Sequence, residues 1–275
     1  MKHTSTLRLS VIQMCSGCDL HINLKFAKQK IAAAAADGAQ LVILPEYYPL
    51  MGRDLTSKLN VQEQHGQGQI QDMMQESAAK YGVWIIGGSI PVCSDDPQRP
   101  YARCYVYDDS GENVGFYDKV HMFDVSIDDN VGNYQESQYS MPGEKPVFVE
   151  SPWGKIGLAV CYDIRFPELF RKYAEDNVDL VALPSAFTVP TGKAHWEVLL
   201  RARAIENQCF IAGAAQAGKH ENGRITWGHS MIINPWGDIL GQLKSELGIL
   251  TQSIEIADRV KLQEKLPVLE HRRIN

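Results

Sequence analysis

GKIGLAVCYDIRFPELF, residues 154–170, carries the chain from a strand into a helix through one sharp turn. The apolar run 156–160 is short and unbroken, as a buried strand is. Pro167 supplies the fixed φ of a first helical turn, and Leu169, Phe170 and Tyr173 then recur on one helical face. Cys161 stands where the strand ends, so the bend falls at a thiol. The same alternation spreads outward in both directions. Apolar runs at 9–14, 41–44, 83–90, 103–107, 180–183, 210–214, 230–233 and 249–256 are each bounded by Gly, Pro, Asp or Asn and read as further strands. One helical stripe runs from an Asp19 N-cap through Leu20, Leu24, Ala27, Ile31 and Ala34 to Gly38 as C′. Another sets Ile70, Met73, Met74, Ser77, Ala78 and Tyr81 on one face before Gly82, and a third covers 195–207 with Trp196, Leu199, Leu200 and Ile205 available for burial. The order is β-α-β-α-β-β, an irregular stretch at 124–145, then β-α-β-α-β-β-β. Two similar halves of mixed sheet covered by helices form an α/β or α+β layered fold. No repeat, low-complexity segment or flexible linker divides them, so residues 1–275 read as a single domain.

Composition narrows the function. With 275 residues, 44% hydrophobic and 22% charged, the chain is globular and not intrinsically disordered. A chain of this size buries roughly 75% of its unfolded surface and needs no disulfide or metal staple. The net charge of −6 opposes broad phosphate neutralisation, so no nucleic-acid partner is expected. No apolar run approaches the ~20 residues of a membrane span, and no membrane partner is expected. The opening MKHTSTLRLSVIQM lacks the long apolar core of a secretion signal. Six cysteines in this context read as reduced thiols of a cytoplasmic protein.

Three residues stand where strands give way to loops, which is where α/β folds build sites. Glu46 ends LVILPE, Lys119 sits in GFYDKVHMFD, and Cys161 ends GKIGLAVC. A cysteine on such a bend is either a small buried hydrophobe or an exposed nucleophile, with the Tyr162 amide turned toward the same space. Lys119 is either solvated or inward-facing; inward, it needs a carboxylate partner and would lower a neighbouring thiol's pKa. Glu46 is either an exposed strand-end carboxylate or, in a pocket, a general base. Other motifs fall short. GHSMI at 228–232 lacks the second glycine of a nucleophile elbow, and HGQGQIQ carries two of the three dinucleotide-binding glycines and follows no strand. No zinc-ligand spacing exists, so no metal and no cofactor are expected. Cys15 and Cys18 form a C-x-x-C between a strand and a helix whose N-terminus would favour a thiolate; a thiol-redox protein is the rival reading from another class.

Taken together, LPE at 44–46, DKVH at 118–121 and VCYDIRFPE at 160–168 resemble, in order and strand-end placement, the nitrilase superfamily of carbon–nitrogen hydrolases. The resemblance extends over almost the whole chain. It implies a four-layer α-β-β-α sandwich and a homodimer that continues it across a helix-lined interface. It implies Cys161 as nucleophile, Glu46 as general base and Lys119 as third catalytic member. A second glutamate of the family matches Glu136 in YQES at 134–137. PSAF at 184–187, AHWEVLLRARAIE at 194–206, GHSM at 228–231, PWG at 235–237 and LPVLEHRR at 266–273 resemble the amidase branch acting on 2-oxo acid amides. Two departures are Cys15 and Cys18 in a normally variable loop, and SIDDNVG at 126–132 in place of a Pro-Gly-containing loop.

The resemblance implies cleavage of the terminal carboxamide of a small-molecule amide through a Cys161 thioester, with release of ammonia. The favoured substrate is deaminated glutathione, a metabolite-repair reaction. Omega-amidase action on 2-oxoglutaramate, N-carbamoyl hydrolysis and nitrile hydrolysis are alternatives at the same site. Arg165, four residues after the nucleophile, is either a carboxylate binder or a partner of Glu168. Phe187, Thr188 and Tyr48 either wall the pocket or pack the core.

Overall fold

The computed structural model describes residues 6–54, 56–129 and 131–274. Its first half contributes β1 (Thr6–Gln13), α1 (Leu20–Ala36), β2 (Leu41–Ile43), α2 (Gln69–Tyr81), β3 (Trp84–Ile86), β4 (Ile90–Val92), β5 (Tyr101–Tyr107) and β6 (Asn113–Asp118). A hairpin of β7 (Asp124–Ser126) and β8 (Asn133–Gln135) leads to the second half, which opens with β9 (Val147–Ser151), β10 (Gly154–Leu158) and α3 (Pro167–Glu175). There follow β11 (Leu180–Ser185), α4 (Val189–Thr191), α5 (Glu197–Asn207) and β12 (Phe210–Ala215). A second hairpin, β13 (Ala217–Lys219) and β14 (Ile225–Trp227), precedes β15 (Met231–Ile233), β16 (Ile239–Gln242), β17 (Gly248–Glu255) and α6 (Ala257–Lys265).

One sheet has the order β17-β1-β2-β3-β5-β4, with β6 also on β5; the other runs β16-β15-β12-β11-β10-β9. Each half holds three parallel strands joined through helices: β1, β2 and β3 in the first, and β10, β11 and β12 in the second. The two-residue period of each strand decides the layers. Leu7, Leu9 and Val11 of β1 share a core with Ile156, Leu158 and Leu180 of the second sheet. Ile12 and Met14 face the other way, with Leu24 and Ile31 of α1 and Met74 of α2. In β5, Cys104 and Val106 take the first side and Tyr105 and Tyr107 the second. On the far face of the second sheet lie Phe170 and Tyr173 of α3, with Trp196 and with Leu200 of α5. A side chain at Gly213 of β12 would meet the Trp196 ring at 2.8 Å, so glycine is what admits the indole there. The result is the α-β-β-α sandwich. Full burial of a Leu, Ile or Val stabilises by roughly 1.5–3 kcal/mol, so a one-residue slip that exchanged both faces of β1 is strongly opposed.

Local signals match where they are strong. The Asp19 side chain accepts from the Ile22 amide as N-cap, Gly82 closes α2 in the left-handed conformation, and Pro167 opens α3. Three readings are corrected. The run 83–90 is not one strand: Gly87 and Gly88 break it, Gly88 with φ +54°. The stretch 124–145 is not wholly irregular, since it contains the β7–β8 hairpin and a 3-10 turn at Glu136–Gln138. The helix expected at 195–207 begins with α4 and passes through a π-helical segment, Gly192–Trp196, and Ile205 is exposed on its surface. The two halves interlock at one further point. β17 crosses to the first sheet and pairs antiparallel with all of β1, from Thr6 opposite Glu255 to Gln13 opposite Gly248. The buried Gln13 amide secures that crossing: Nε2 donates to the carbonyls of Lys244 (2.9 Å) and Glu246 (2.7 Å), while Oε1 accepts from the Ser230 amide and hydroxyl. No helix among the described residues is long and apolar enough to cross a membrane.

Candidate active site

β2, β6 and β10 deliver Glu46, Lys119 and Cys161 to one place, because each residue follows its strand by three positions or fewer. The 3-10 turn after β8 adds Glu136. Lys119 Nζ donates to Glu46 Oε1 at 2.9 Å and to both oxygens of Glu136, at 3.0 and 2.8 Å. The Glu46 carboxylate also hydrogen-bonds with the Cys161 thiol, and the Ala186 amide reaches the sulfur. Glu136 further accepts from the Tyr47 hydroxyl (3.1 Å) and the Phe123 amide (2.8 Å).

Two of these residues sit on backbone that side chains rarely adopt: φ is 49° at Cys161 and 56° at Tyr47. Such a conformation costs about 1–2 kcal/mol, and the surroundings must hold it. At the cysteine the holder is Asp163. Its Oδ2 accepts from the Val160 amide and the Tyr117 hydroxyl, both 2.8 Å, and its Oδ1 accepts from the His121 amide (3.1 Å) and lies 2.7 Å from His121 Nδ1. One fully buried carboxylate thus joins the cysteine turn to the Lys119 segment. At Tyr47, the Ser89 hydroxyl accepts the amide (3.1 Å), and Gln216 Nε2 donates to the Glu46 carbonyl (3.0 Å). Gly88 packs so closely that a Cβ there would lie 2.1 Å from the Pro45 carbonyl oxygen.

Burial raises the Glu46 pKa, and the Lys119 charge does not fully reverse it. At Glu136 burial acts the same way but is outweighed by Lys119 and the Phe123 amide, which hold the carboxyl below its ordinary range. Burial opposes the Lys119 charge, yet Glu136 and Glu46 together raise its pKa well above that of a free lysine. For Cys161, burial and then Glu46 push the thiol well above its ordinary value. The expected lowering by Lys119 is present but loses to desolvation. The resting site therefore holds a thiol beside a carboxylate of raised basicity and a permanent ammonium, the arrangement for base-assisted attack on a carbonyl.

A cavity of about 300 Å³ opens onto this cluster. Tyr162, Phe187 and Thr188 line it. Tyr48 does not: it is fully buried in the core beneath α1 and α2, and its neighbour Tyr47 takes the cavity position. Arg165 does not line it either. Its Nη1 lies 3.2 Å from His195 Nδ1, its guanidinium rests over the Phe187 and Tyr162 rings, and no ion pair with Glu168 occurs among the described residues. Sequence reading missed Tyr47, Lys58, Tyr134 and Arg224, which do line it. No local signal marks the first, because nothing in a Glu-Tyr-Tyr run announces positive φ. Cys15 and Cys18 are free; burial raises both thiols, so the thiolate expected at the helix N-terminus is not favoured. The altered loop at 126–132 forms the β7–β8 turn, its Asn130 lying outside the described residues.

Such a sandwich, with thiol, carboxylates and ammonium in one cavity, defines an enzyme that hydrolyses carbon–nitrogen bonds. The chain belongs to the carbon-nitrogen hydrolase family, which matches residues 8–262. A deaminated glutathione amidase from Yersinia enterocolitica is 42% identical over 266 residues, 96% of this chain and 92% of the relative. The crystal structure of the Caenorhabditis elegans NitFhit protein superposes with a TM-score of 0.92 at 35% identity, over 98% of this chain and 66% of that longer one. An amidase from Nesterenkonia sp. AN1 aligns at TM-score 0.78 and 25% identity, over 98% of this chain and 97% of that one. In that structure, a glutamate-to-glutamine mutant, the acetamide moiety of fluoroacetamide is covalently added at the active site cysteine.

Proposed function

We propose that the protein is a 2-oxo acid amidase whose favoured substrate is deaminated glutathione, in a metabolite-repair role. The reading rests on one observation: a buried thiol shares a cavity with Glu46, Lys119 and Glu136. The likeness to the Yersinia amidase supports the choice of substrate. Glu46 takes the thiol proton as Cys161 sulfur attacks the amide carbon. Lys119 Nζ and the Tyr162 amide stabilise the oxyanion, each such donor lowering the barrier by ~3 kcal/mol. Glu46 passes its proton to the departing amine, leaving a thioester. Water, deprotonated by Glu46, then attacks the thioester, and the proton returns to the leaving sulfur. Glu136 holds Lys119 charged and in place.

The expectation of ammonia release is corrected for the favoured substrate, because the leaving amine depends on which amide is cleaved. In deaminated glutathione the amide nitrogen belongs to cysteinylglycine, so the dipeptide leaves; ammonia release is the outcome for 2-oxoglutaramate. Both reactions end in 2-oxoglutarate, whose formation is the common readout. A panel of deaminated glutathione, 2-oxoglutaramate, an N-carbamoyl amino acid and a nitrile tests the reading. We expect the highest kcat/KM on the first and none for folded Cys161→Ala. A purified protein inactive on both oxo acid amides, or a Cys161→Ala variant as active as the wild type, overturns it.

We further propose that residues 1–275 act as one domain in the cytoplasm, as a homodimer across the helix-lined face. Val198 and Ile205 of α5 and the nearby Trp236 are exposed there, an apolar patch of the kind that protein interfaces cover.

A further inference from the structure

Resting on the proposed reading that the substrate is a carboxylate-bearing amide, the cations of the cavity can be sorted by whether a protein acid already occupies them. Lys119 is taken by Glu46 and Glu136. Lys58 donates to the Ser140 hydroxyl at 2.5 Å and feels the Glu136 charge. Arg165 is outside the cavity. Arg53 lines it, also without an ion pair among the described residues, but it is exposed at the rim and its guanidinium hydrogen-bonds with the Cys18 thiol. Lys58 and Arg224 both lack an ion pair, and Arg224 is set apart by its fixed orientation. It stands at the start of β14, half-buried and lining the cavity, and no ion pair with an acid occurs for it among the described residues. Asp129 is close enough for the Arg224 charge to help lower its pKa, but it forms no ion pair with that guanidinium among the described residues and accepts instead from the Tyr134 hydroxyl (2.8 Å) and from the Val131 and Gly132 amides (2.9 Å each).

The guanidinium of Arg224 is nonetheless oriented. It lies over the Tyr47 ring at 5.8 Å and the Tyr134 ring at 5.5 Å, and Nη1 donates to the Met51 sulfur at 3.5 Å. A thioether is a weak acceptor, and a carboxylate replacing it would gain paired, charge-assisted hydrogen bonds. The turn bearing Arg224 is tied to the cavity rim, because Asn222 Nδ2 donates to the Gly52 carbonyl (2.7 Å) and Asn222 Oδ1 accepts from the Arg224 amide (3.0 Å). Tyr47 links the two ends of the cavity: its ring meets Arg224 while its hydroxyl reaches Glu136. We propose that Arg224 is the specificity residue that binds the free carboxylate of the substrate, setting the amide carbonyl against Cys161.

The test compares 2-oxoglutaramate with 4-oxopentanamide, in which methyl replaces the carboxylate, following ammonia from the wild type, Arg224→Met and Arg224→Lys. A charged hydrogen bond of the usual strength predicts a KM for 2-oxoglutaramate about 10- to 100-fold higher in Arg224→Met. The wild-type preference for the anionic substrate should vanish in that variant, and Arg224→Lys should recover part of it. An unchanged KM, or equal losses on both substrates with the preference kept, overturns the role of Arg224 while leaving the amidase reading intact. A wild type inactive on deaminated glutathione as well as on both amides removes that reading and this inference together, and one active on deaminated glutathione alone moves the same KM comparison of the Arg224 variants to that substrate.

Discussion

Lys119 is an ammonium enclosed by two carboxylates, and its removal acts on stability as well as on rate. Breaking a buried ion pair from one side costs about 3–5 kcal/mol. In Lys119→Met, Glu46 and Glu136 would face each other uncompensated, and both pKa values would rise above those of the unfolded chain. The folded state would then hold more protons than the unfolded one, so stability should fall as pH rises above about 4.5. Urea midpoints of the variant from pH 5 to 8 should decline against the wild type; parallel curves would contradict the coupling. Lys58 has the opposite sign. Burial, with Lys119 and Arg99 and against Glu136, lowers its pKa from 10.5 to about 8. Between those values the unfolded chain holds the proton and the folded chain has released it, so this group makes stability rise with pH there. The wild-type-minus-Lys58→Met difference in unfolding free energy should climb across that window, and a flat difference would count against it. At this scale the sequence was legible for residue types and silent on direction. Tyr47 and Tyr48 are adjacent and chemically identical, and only the positive φ at Tyr47 decides which one meets the cavity.

Between β10 and α3 the chain turns on a carboxylate. Asp163→Ala would strand the Val160 and His121 amides and the Tyr117 hydroxyl, each unpaired group costing about 1–3 kcal/mol. Because Asp163 acts through the placement of Cys161 and Lys119, kcat should fall about 100-fold even in the folded fraction. Active-site titration alongside thermal melting separates that from simple loss of folded protein. Gly88 makes the same point between β3 and β4. Gly88→Val would drive a side chain into the Pro45 carbonyl, and Glu46 would move with it; full activity in a folded variant would show that loop to be dispensable. Elements buried on one or both faces were readable because periodicity and caps are local properties of the chain. β6 and β9 were not, since NVGFYD and VFVES lack a clean apolar period and are held by their neighbours on β5 and β10. The π-helical turn at Gly192–Trp196 likewise has no signature in GKAHW.

For the whole molecule, the decisive connection is β17 on β1. A chain ending at Glu246 would leave β1 without its eight-residue partner. It should fail to give a cooperative unfolding transition by circular dichroism, whereas a normal melt would mean that the first sheet closes without β17. The proposed dimer predicts a scattering mass about twice 30.8 kDa, reduced by Trp236→Glu; a monomeric wild type would refute it. What the sequence determined by itself was the alternation of strands and helices and, through family resemblance, the thiol, the base and the ammonium. Both are written in short contiguous segments, where side-chain period and motif order suffice. Only the tertiary structure decided that β17 belongs to the first sheet, at what distances Lys119 meets Glu46 and Glu136, and that Arg224 rather than Arg165 faces the cavity. Those outcomes join residues far apart in the chain, 73 positions in the case of Glu46 and Lys119, and depend on backbone torsions beyond the strand ends that no local pattern encodes.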